Sequence, residues 1–376
     1  MINFKGEINV NLICEGLDLA EAVLTVSKAI SAKTANPILE GIKLFAEDNV
    51  LTLSATDTDL AIEKKIKAEI KVEGETVVPG RFFCEFVKKL TNQQIELDLN
   101  EKNQLKIKYA ESEGFISCFT TLEYPGFKKI DCNEYFAMTK KDLKSLITKS
   151  TFAVAIDESR PILKGVLLEV ENNSIRAIAL DGYRLALVNK PLAASNISVS
   201  VIVPARSLNE IAKLLDDSDD VVNVYIQKNN LMVDLDDTKI ITKLLDGEFL
   251  NYKQIISSNY ESVITINKAQ FEDALERASL LSKVGQGNLV KFEIKEGNLC
   301  LSSNSELGNI KENVNIVLKG NDLNIAFNAR YFMDALRMNN NEFVKINFNS
   351  SASPCTITPF EGDEFLYLIL PVRILT

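Results

Sequence analysis

The sequence predicts an α+β fold made of three copies of one domain, each of two helices plus antiparallel sheets. Three observations predict it: a constant repeat spacing, the switch between helical and strand periodicity inside each repeat, and the lack of any long apolar run. The first repeat reads NPILEGIKL (36–44), ATDTDL (55–60) and VVPGRFFCEFVKKL (77–90). The second reads RPILKGVLL (160–168), ALDGYRL (179–185) and VIVPARSLNEIAKLL (201–215), and the third NLVKFEI (288–294), SNSELGN (303–309) and IAFNARYFMDALRM (325–338). Ala55, Ala179 and Ser303 are 124 apart each time, and Arg81, Arg206 and Arg330 are 125 and 124 apart. A period of that length is too long for short solenoid repeats and right for a self-sufficient domain.

Each repeat opens with an amphipathic helical pattern, at 17–32, 140–151 and 268–283, where apolar residues recur at three- and four-residue spacing. Short alternating strands follow, at 42–45, 51–54 and 62–66 in the first repeat and at 166–170, 175–179 and 185–189 in the second. A second helix comes next, at 81–90, 207–215 and 331–338, and then further strands. Boundaries near 124–133 and 249–258 divide the chain into domains 1–130, 131–256 and 257–376. The phrases TLEYPGFKKI (121–130) and KLLDGEFLNYKQI (243–255) occupy matching places and read as linkers docked on the preceding sheet.

The chain has 376 residues, 46% hydrophobic and 25% charged, which is ample material for three cores. Its longest apolar run, 365–370, is far short of a membrane span, and Lys5 and Glu7 interrupt the place where a signal peptide needs an apolar stretch. The reading is cytoplasmic. Six cysteines never approach a CxxC spacing, so free buried thiols are expected. With no histidine at all, His-based acid or base work, Ser-His-Asp and Cys-His nucleophile pairs and His-ligated metals are excluded. There is no Walker loop, no GxGxxG after a strand and no EF-hand spacing, so no catalytic residue, metal or cofactor is indicated.

The net charge of −10 argues against a nucleic-acid partner, but the distribution argues for one. Counted over 17–33, 80–90, 139–150, 205–215, 268–283 and 329–339, the six helical segments with their flanking residues hold 16 basic and 9 acidic residues, and the remainder holds 26 basic and 43 acidic. Helices sharing one surface would present it to a polyanion. Three domain-sized spheres of about 36 Å in a triangle leave a hole only a few Å wide. Six in a hexagon leave a hole of roughly 36 Å, enough for a duplex about 20 Å across. A monomer cannot encircle DNA; a head-to-tail dimer can.

The blocks NPILEGIKL, RPILKGVLLE, ALDGYRLA, VIVPARSLNEIAKLL and the terminal LILPVRI resemble the bacterial DNA polymerase III beta subunit, the sliding-clamp family, over essentially the whole chain. The resemblance implies a DNA-clamp fold and a homodimeric ring with helices lining the hole, threaded on double-stranded DNA as a processivity factor, without catalysis. It implies partners in the replicative polymerase, the clamp loader and other proteins with clamp-binding motifs. It places their peptide groove at Leu163, Leu180, Asp181, Gly182, Tyr183, Arg184 and Leu185, then Leu250 and Ile255, then Leu368, Leu370, Pro371, Val372, Arg373 and Ile374. An apolar trough rimmed by arginine suits an extended peptide with Leu or Phe anchors, and Asp181-Gly182 alone reads as a hairpin turn. Gln254 stands where the family often has arginine, and Leu250 where it has proline. Lys33 and Arg160 match family arginines facing DNA, and Lys88, Lys141, Lys144, Arg206, Lys213 and Arg337 join them on charge grounds. The dimer seam is expected to join Ser117 and Phe119 to Leu280 and Leu281. The residues alone leave open a repeat-built peptide-binding scaffold without DNA encirclement.

Overall fold

The computed structural model describes residues 10–31, 34–157, 159–257, 259–282 and 288–373. They fall into two compact units, one of residues up to 137 together with 220–244, the other of 138–219 and 245 onward. The partition cuts through the second repeat because strand ladders join neighbouring repeats as firmly as they join strands within one.

In the first unit, helices α1 (Gly16–Val26) and α2 (Gly80–Val87) pack together. α1 buries Leu19, Val23 and Val26, and α2 buries Phe83 and Val87, the three- and four-residue spacing that makes one apolar stripe. The helix predicted over 17–32 stops at Val26 and passes into a 3₁₀ turn, Ser27–Ala29. There the Ser27 hydroxyl donates to the Leu24 carbonyl at 2.9 Å and Ile30 turns extended. One sheet runs in the order Glu69–Val72, Val10–Glu15, Gln94–Leu99, Gln104–Tyr109, Ser112–Ser117, so the last of these is an edge. In the other sheet Val221–Gln227, Asn230–Asp234 and Thr238–Lys243 run on through Leu60–Lys67 to Val50–Thr56, Gly41–Glu47 and Gly74–Pro79.

The second unit holds two helix pairs, α3 (Lys140–Thr151) with α4 (Ala205–Leu214), and α5 (Lys268–Ser282) with α6 (Ala329–Arg337). Thr139 caps α3 by accepting the Asp142 N–H at 3.1 Å, and Asn328 caps α6 by accepting the Arg330 N–H at 3.0 Å. Arg81, Arg206 and Arg330 are each the second residue of their helix, after a small buried Gly80, Ala205 or Ala329. A twelve-stranded antiparallel sheet passes Val199–Pro204, Gly165–Glu171, Ser174–Leu180 and Arg184–Pro191, then Phe365–Ile369, Cys355–Pro359, Phe343–Phe348, Ser262–Asn267 and the third repeat's remaining strands. Phe271, Phe292, Phe327 and Phe332 fill the third repeat's core with ring centroids 4.9–6.0 Å apart.

The joints between repeats are built alike. Leu60–Lys67 pairs with Thr238–Lys243, setting Leu60 opposite Thr242, and Arg184–Pro191 pairs with Phe365–Ile369, setting Arg184 opposite Ile369. Both are preceded by the same turn. Asp57 Oδ1 accepts the N–H groups of Asp59 (3.1 Å) and Leu60 (2.8 Å), and Asp181 Oδ1 those of Tyr183 (2.8 Å) and Arg184 (3.0 Å). The residue after the aspartate has positive φ in each, 81° at Thr58 and 93° at Gly182, and only the glycine adopts that without strain. The hairpin read from Asp181-Gly182 is therefore present.

Side chains brace the second unit's joint. Glu364 accepts from Lys149 (2.7 Å) and Lys190 (2.9 Å), and Lys190 also reaches Asp142 at 2.9 Å. Burial pushes the Glu364 carboxyl up, but the two lysines outweigh it and hold the group below its ordinary range. A carboxyl lowered in the folded state contributes stability above its unfolded range, and that contribution disappears as pH falls through the folded value. Urea melts are thus expected to show Glu364→Gln less stable than the parent at neutral pH and closing on it as the solution is acidified below the glutamate range. Parallel curves at both pH values would contradict the network.

Candidate functional site

The predicted groove residues assemble inside the second unit. Leu163, Leu180, Leu185 and Leu368 are buried in one apolar cluster with Ile178, Ile202 and Tyr252, and Leu370, Phe249 and Ile256 lie half-buried against it. The hairpin supplies Leu180 and Leu185, the ladder brings Leu368 opposite Leu185, and the Leu370 N–H donates to the Tyr183 carbonyl at 2.9 Å. Tyr183, Leu250, Ile255 and Val372 remain exposed, as do Gly182 and Arg373, while Pro371 is half-buried. Tyr252 anchors the crossing segment: its hydroxyl donates to Glu169 at 2.7 Å, and burial followed by that bond raises the phenol pKa. Leu250 lines a cavity of about 420 Å³ with Leu167, Glu169, Ser200 and Ile202, on the flank of the floor. Ile374 lies outside the described residues, as does Lys33.

Arg184 is not the open rim residue the sequence suggested. It is only 8% exposed, and its guanidinium donates to Asp181 Oδ2 at 3.0 Å, Asp334 Oδ2 at 2.5 Å and the Phe152 carbonyl at 2.8 Å. It also lies 4.9 Å from the Tyr331 ring and 5.4 Å from Phe152. A planar fork bonded on three sides is a clasp between the hairpin and α6. It fixes the hairpin against α6. Removing one member of such a buried pair strands the others, so Arg184→Ala is expected to cost about 3 kcal/mol in a urea titration. A loss below about 1 kcal/mol, the worth of an exposed pair, would show the clasp to be slack.

The helix cations are interleaved with acids. Lys140 and Lys144 on α3 pair with Asp216 (3.2 Å) and Asp217 (3.0 Å), just beyond the end of α4. Lys213 pairs with Glu210 at 2.8 Å, Lys88 with Glu85 at 3.0 Å, and Arg337 lies 3.8 Å from Glu272. Lys141, Arg160 and Arg206 are exposed. The segregation of charge by element is real along the chain, yet loop acids return to the helix faces. Exposed pairs of this kind are worth about 0–1 kcal/mol and exchange readily for phosphate. Among the described residues no cluster of three or more His, Cys, Asp or Glu side chains could hold a metal.

Three family models match the chain in order: the DNA polymerase III beta subunit N-terminal domain at residues 10–128, its central domain at 137–251 and its C-terminal domain at 253–373. The chain belongs to the DNA polymerase III beta subunit family. It is 34% identical over 356 residues to the beta sliding clamp of Staphylococcus epidermidis, covering 92% of this chain and 94% of that protein. It is 32% identical to the beta sliding clamp of Staphylococcus aureus over the same shares. The solved DNA polymerase sliding clamp of Bacillus subtilis superposes with a TM-score of 0.95 at 31% identity, covering 98% of this chain and all of that one.

The beta-subunit fold leaves apolar side chains exposed at places the sequence only partly indicated. Ser117 ends the edge strand and is exposed, but Phe119 is half-buried against Ile38, Leu39, Val77 and Tyr124, so much of its surface serves its own unit. Leu280 is exposed on α5 and Leu281 is half-buried. Sequence reasoning missed the aromatic patch beside the edge strand. Phe82 and Phe86 stack at 6.0 Å, Phe86 meets Tyr109 edge-on at 5.7 Å, and Phe115 carries Lys106 above its ring at 5.4 Å. Its signal was legible: Phe82 and Phe86 are four apart and so share a face, stepped about 100° round the helix from the buried Phe83 and Val87.

Proposed function

We infer that the protein is a DNA sliding clamp: a homodimeric ring that encircles duplex DNA and tethers the replicative polymerase and other clamp-binding proteins without catalysing a reaction itself. It works in the cytoplasm. The observation that carries the dimer is the joint. Two joints are closed within the chain by the same antiparallel ladder, and among the described residues each of the equivalent partners of a third keeps one edge without a ladder. Those partners are the outer edge of Ser112–Ser117 in the first unit and the outer edge of residues 308–315 in the second. They belong to opposite ends of the repeat series, so a second copy supplies each end's partner head to tail.

The register follows from the two closed joints. Leu60 and Arg184 correspond to Gly308 by the 124-residue spacing, and Thr242 and Ile369 correspond to Ile116 by their places in their hairpins. Pairing Ile116 with Gly308 sets Glu113 opposite Lys311, with the patch of Phe82, Phe86 and Phe115 alongside. Like charges on such a pair are destabilising. Lys311→Glu is therefore expected to weaken the dimer several-fold in sedimentation equilibrium, and Glu113→Lys in the same chain to restore it. Failure of the double reversal to rescue would refute this register.

The helices carry the DNA. Cations already paired to exposed acids hold a duplex loosely, as a ring that retains DNA by topology requires. Closed on a nicked circle, the protein is expected to survive high salt and to leave when the circle is cut. Equal, salt-labile binding to circles and linear fragments would favour a scaffold instead. Lys144→Glu, Arg160→Glu and Lys213→Glu together should flatten the salt dependence of residual DNA binding, by up to about 0.9 in log–log slope for each phosphate no longer neutralised.

The groove over Leu163, Leu180, Leu185, Leu368 and Leu370 receives partner peptides. An apolar floor with exposed Tyr183 and Val372 beside it suits Leu or Phe anchors, and Gln254 and Leu250 bias which flanking residues are preferred. Leu370→Asp is expected to abolish binding of such a peptide while the dimer persists. Dissociation of the dimer by that change would mean the groove is misplaced.

A further inference from the structure

The joint in the first unit has the architecture that forms the groove in the second. A cavity of about 220 Å³ opens there, lined by Ala55, Ala61 and Ile241 from the paired strands and by Tyr124, Pro125 and Phe127 from the crossing segment. Each part has its counterpart. EYPGFK (123–128) aligns with EFLNYK (248–253), Ile241 takes the place of Leu368, and Lys243 that of Leu370. The Lys243 N–H donates to the Asp59 carbonyl at 2.8 Å, as the Leu370 N–H does to Tyr183 at 2.9 Å.

We propose that this cavity is a second peptide-docking site, taking one bulky apolar side chain of an extended partner segment that carries a carboxylate next to it. The proposal rests on the groove reading for the second unit, because it extends that architecture to the first. The volume lies below the ~300–1,000 Å³ that drug-sized ligands fill, which suits a single Leu or Phe anchor and not a cofactor. The exchange of Leu370 for Lys243 replaces an apolar contact by a cation, and Lys128 adds another at the rim. Lys243 Nζ lies 3.0 Å from Asp59 Oδ1 and Lys128 Nζ 3.3 Å from Asn230 Oδ1, both toward solvent. Such exposed contacts yield to an incoming carboxylate at little cost.

The walls are preformed. The Tyr124 hydroxyl donates to the Ser54 carbonyl at 3.2 Å, and the Thr58 N–H donates to Thr56 Oγ1 at 3.0 Å while the Thr56 hydroxyl donates to the Leu60 carbonyl at 3.0 Å. These bonds hold Thr58 in its left-handed conformation, so the turn is set before any ligand arrives.

The test is equilibrium titration of the intact dimer with a dye-labelled peptide, Ser-Leu-Asp-Leu-Phe-Glu, counting peptides bound per chain. The proposal expects two. Ala61→Phe, which fills the cavity, should leave one, and Leu370→Asp should remove the other. Lys128→Glu with Lys243→Glu, surface changes that spare the core, should weaken the first-unit site alone by about tenfold. One peptide per chain, lost with Leu370→Asp and indifferent to both first-unit variants, overturns this site and leaves the groove standing. One per chain, lost with Ala61→Phe and indifferent to Leu370→Asp, supports this site and removes the groove reading. Assembly beyond the dimer that Ala61→Phe abolishes in sedimentation assigns the cavity to another copy of the chain and also overturns the proposal.

Discussion

The structure depends on one interaction used twice: an antiparallel backbone ladder that carries the last strand of the second and of the third repeat onto the strand after the preceding repeat's Asx turn. The ladder reads backbone and not side chains, so the joints tolerate divergent residues while keeping register. Leu60 and Arg184 hold equivalent positions, one buried in apolar surroundings and the other clasped by Asp181, Asp334 and the Phe152 carbonyl, yet both strands meet their partners alike. Keeping backbone geometry constant frees the side chains around it for docking surfaces.

Electrostatics works by moderation. An acidic chain repels polyanions overall, and its helices offset this only where basic side chains gather. Asp216 and Asp217 pair with Lys140 and Lys144 and offset their charge. For a ring, weak contacts are an advantage, because retention comes from closure and movement along the duplex requires that no single contact hold fast.

Much of this was legible in the chain. The recurrence of Ala55, Ala179 and Ser303 marks equivalent strand positions, each buried, and most predicted strands lengthen by only one or two residues at each end. The α1 end was not legible, because a single Ser27 hydroxyl bond and the turn at Ile30 override a continuing apolar period. Arg184 misled for a related reason. A charged residue in a motif reads as exposed unless its distant partners are known, and Asp334 lies 150 positions away. Counting charge by element likewise missed loop acids that fold back on the helices, and Phe82 and Phe86 were not singled out because helical spacing alone does not tell an inner stripe from an outer one.

The most direct measurement is an image of the assembled particle by electron microscopy. The account predicts a two-chain ring with a central opening wider than a duplex, about 20 Å, walled by α1 to α6 with the sheets outside. A compact particle without an opening, or an opening walled by the acidic sheet surfaces, would contradict it.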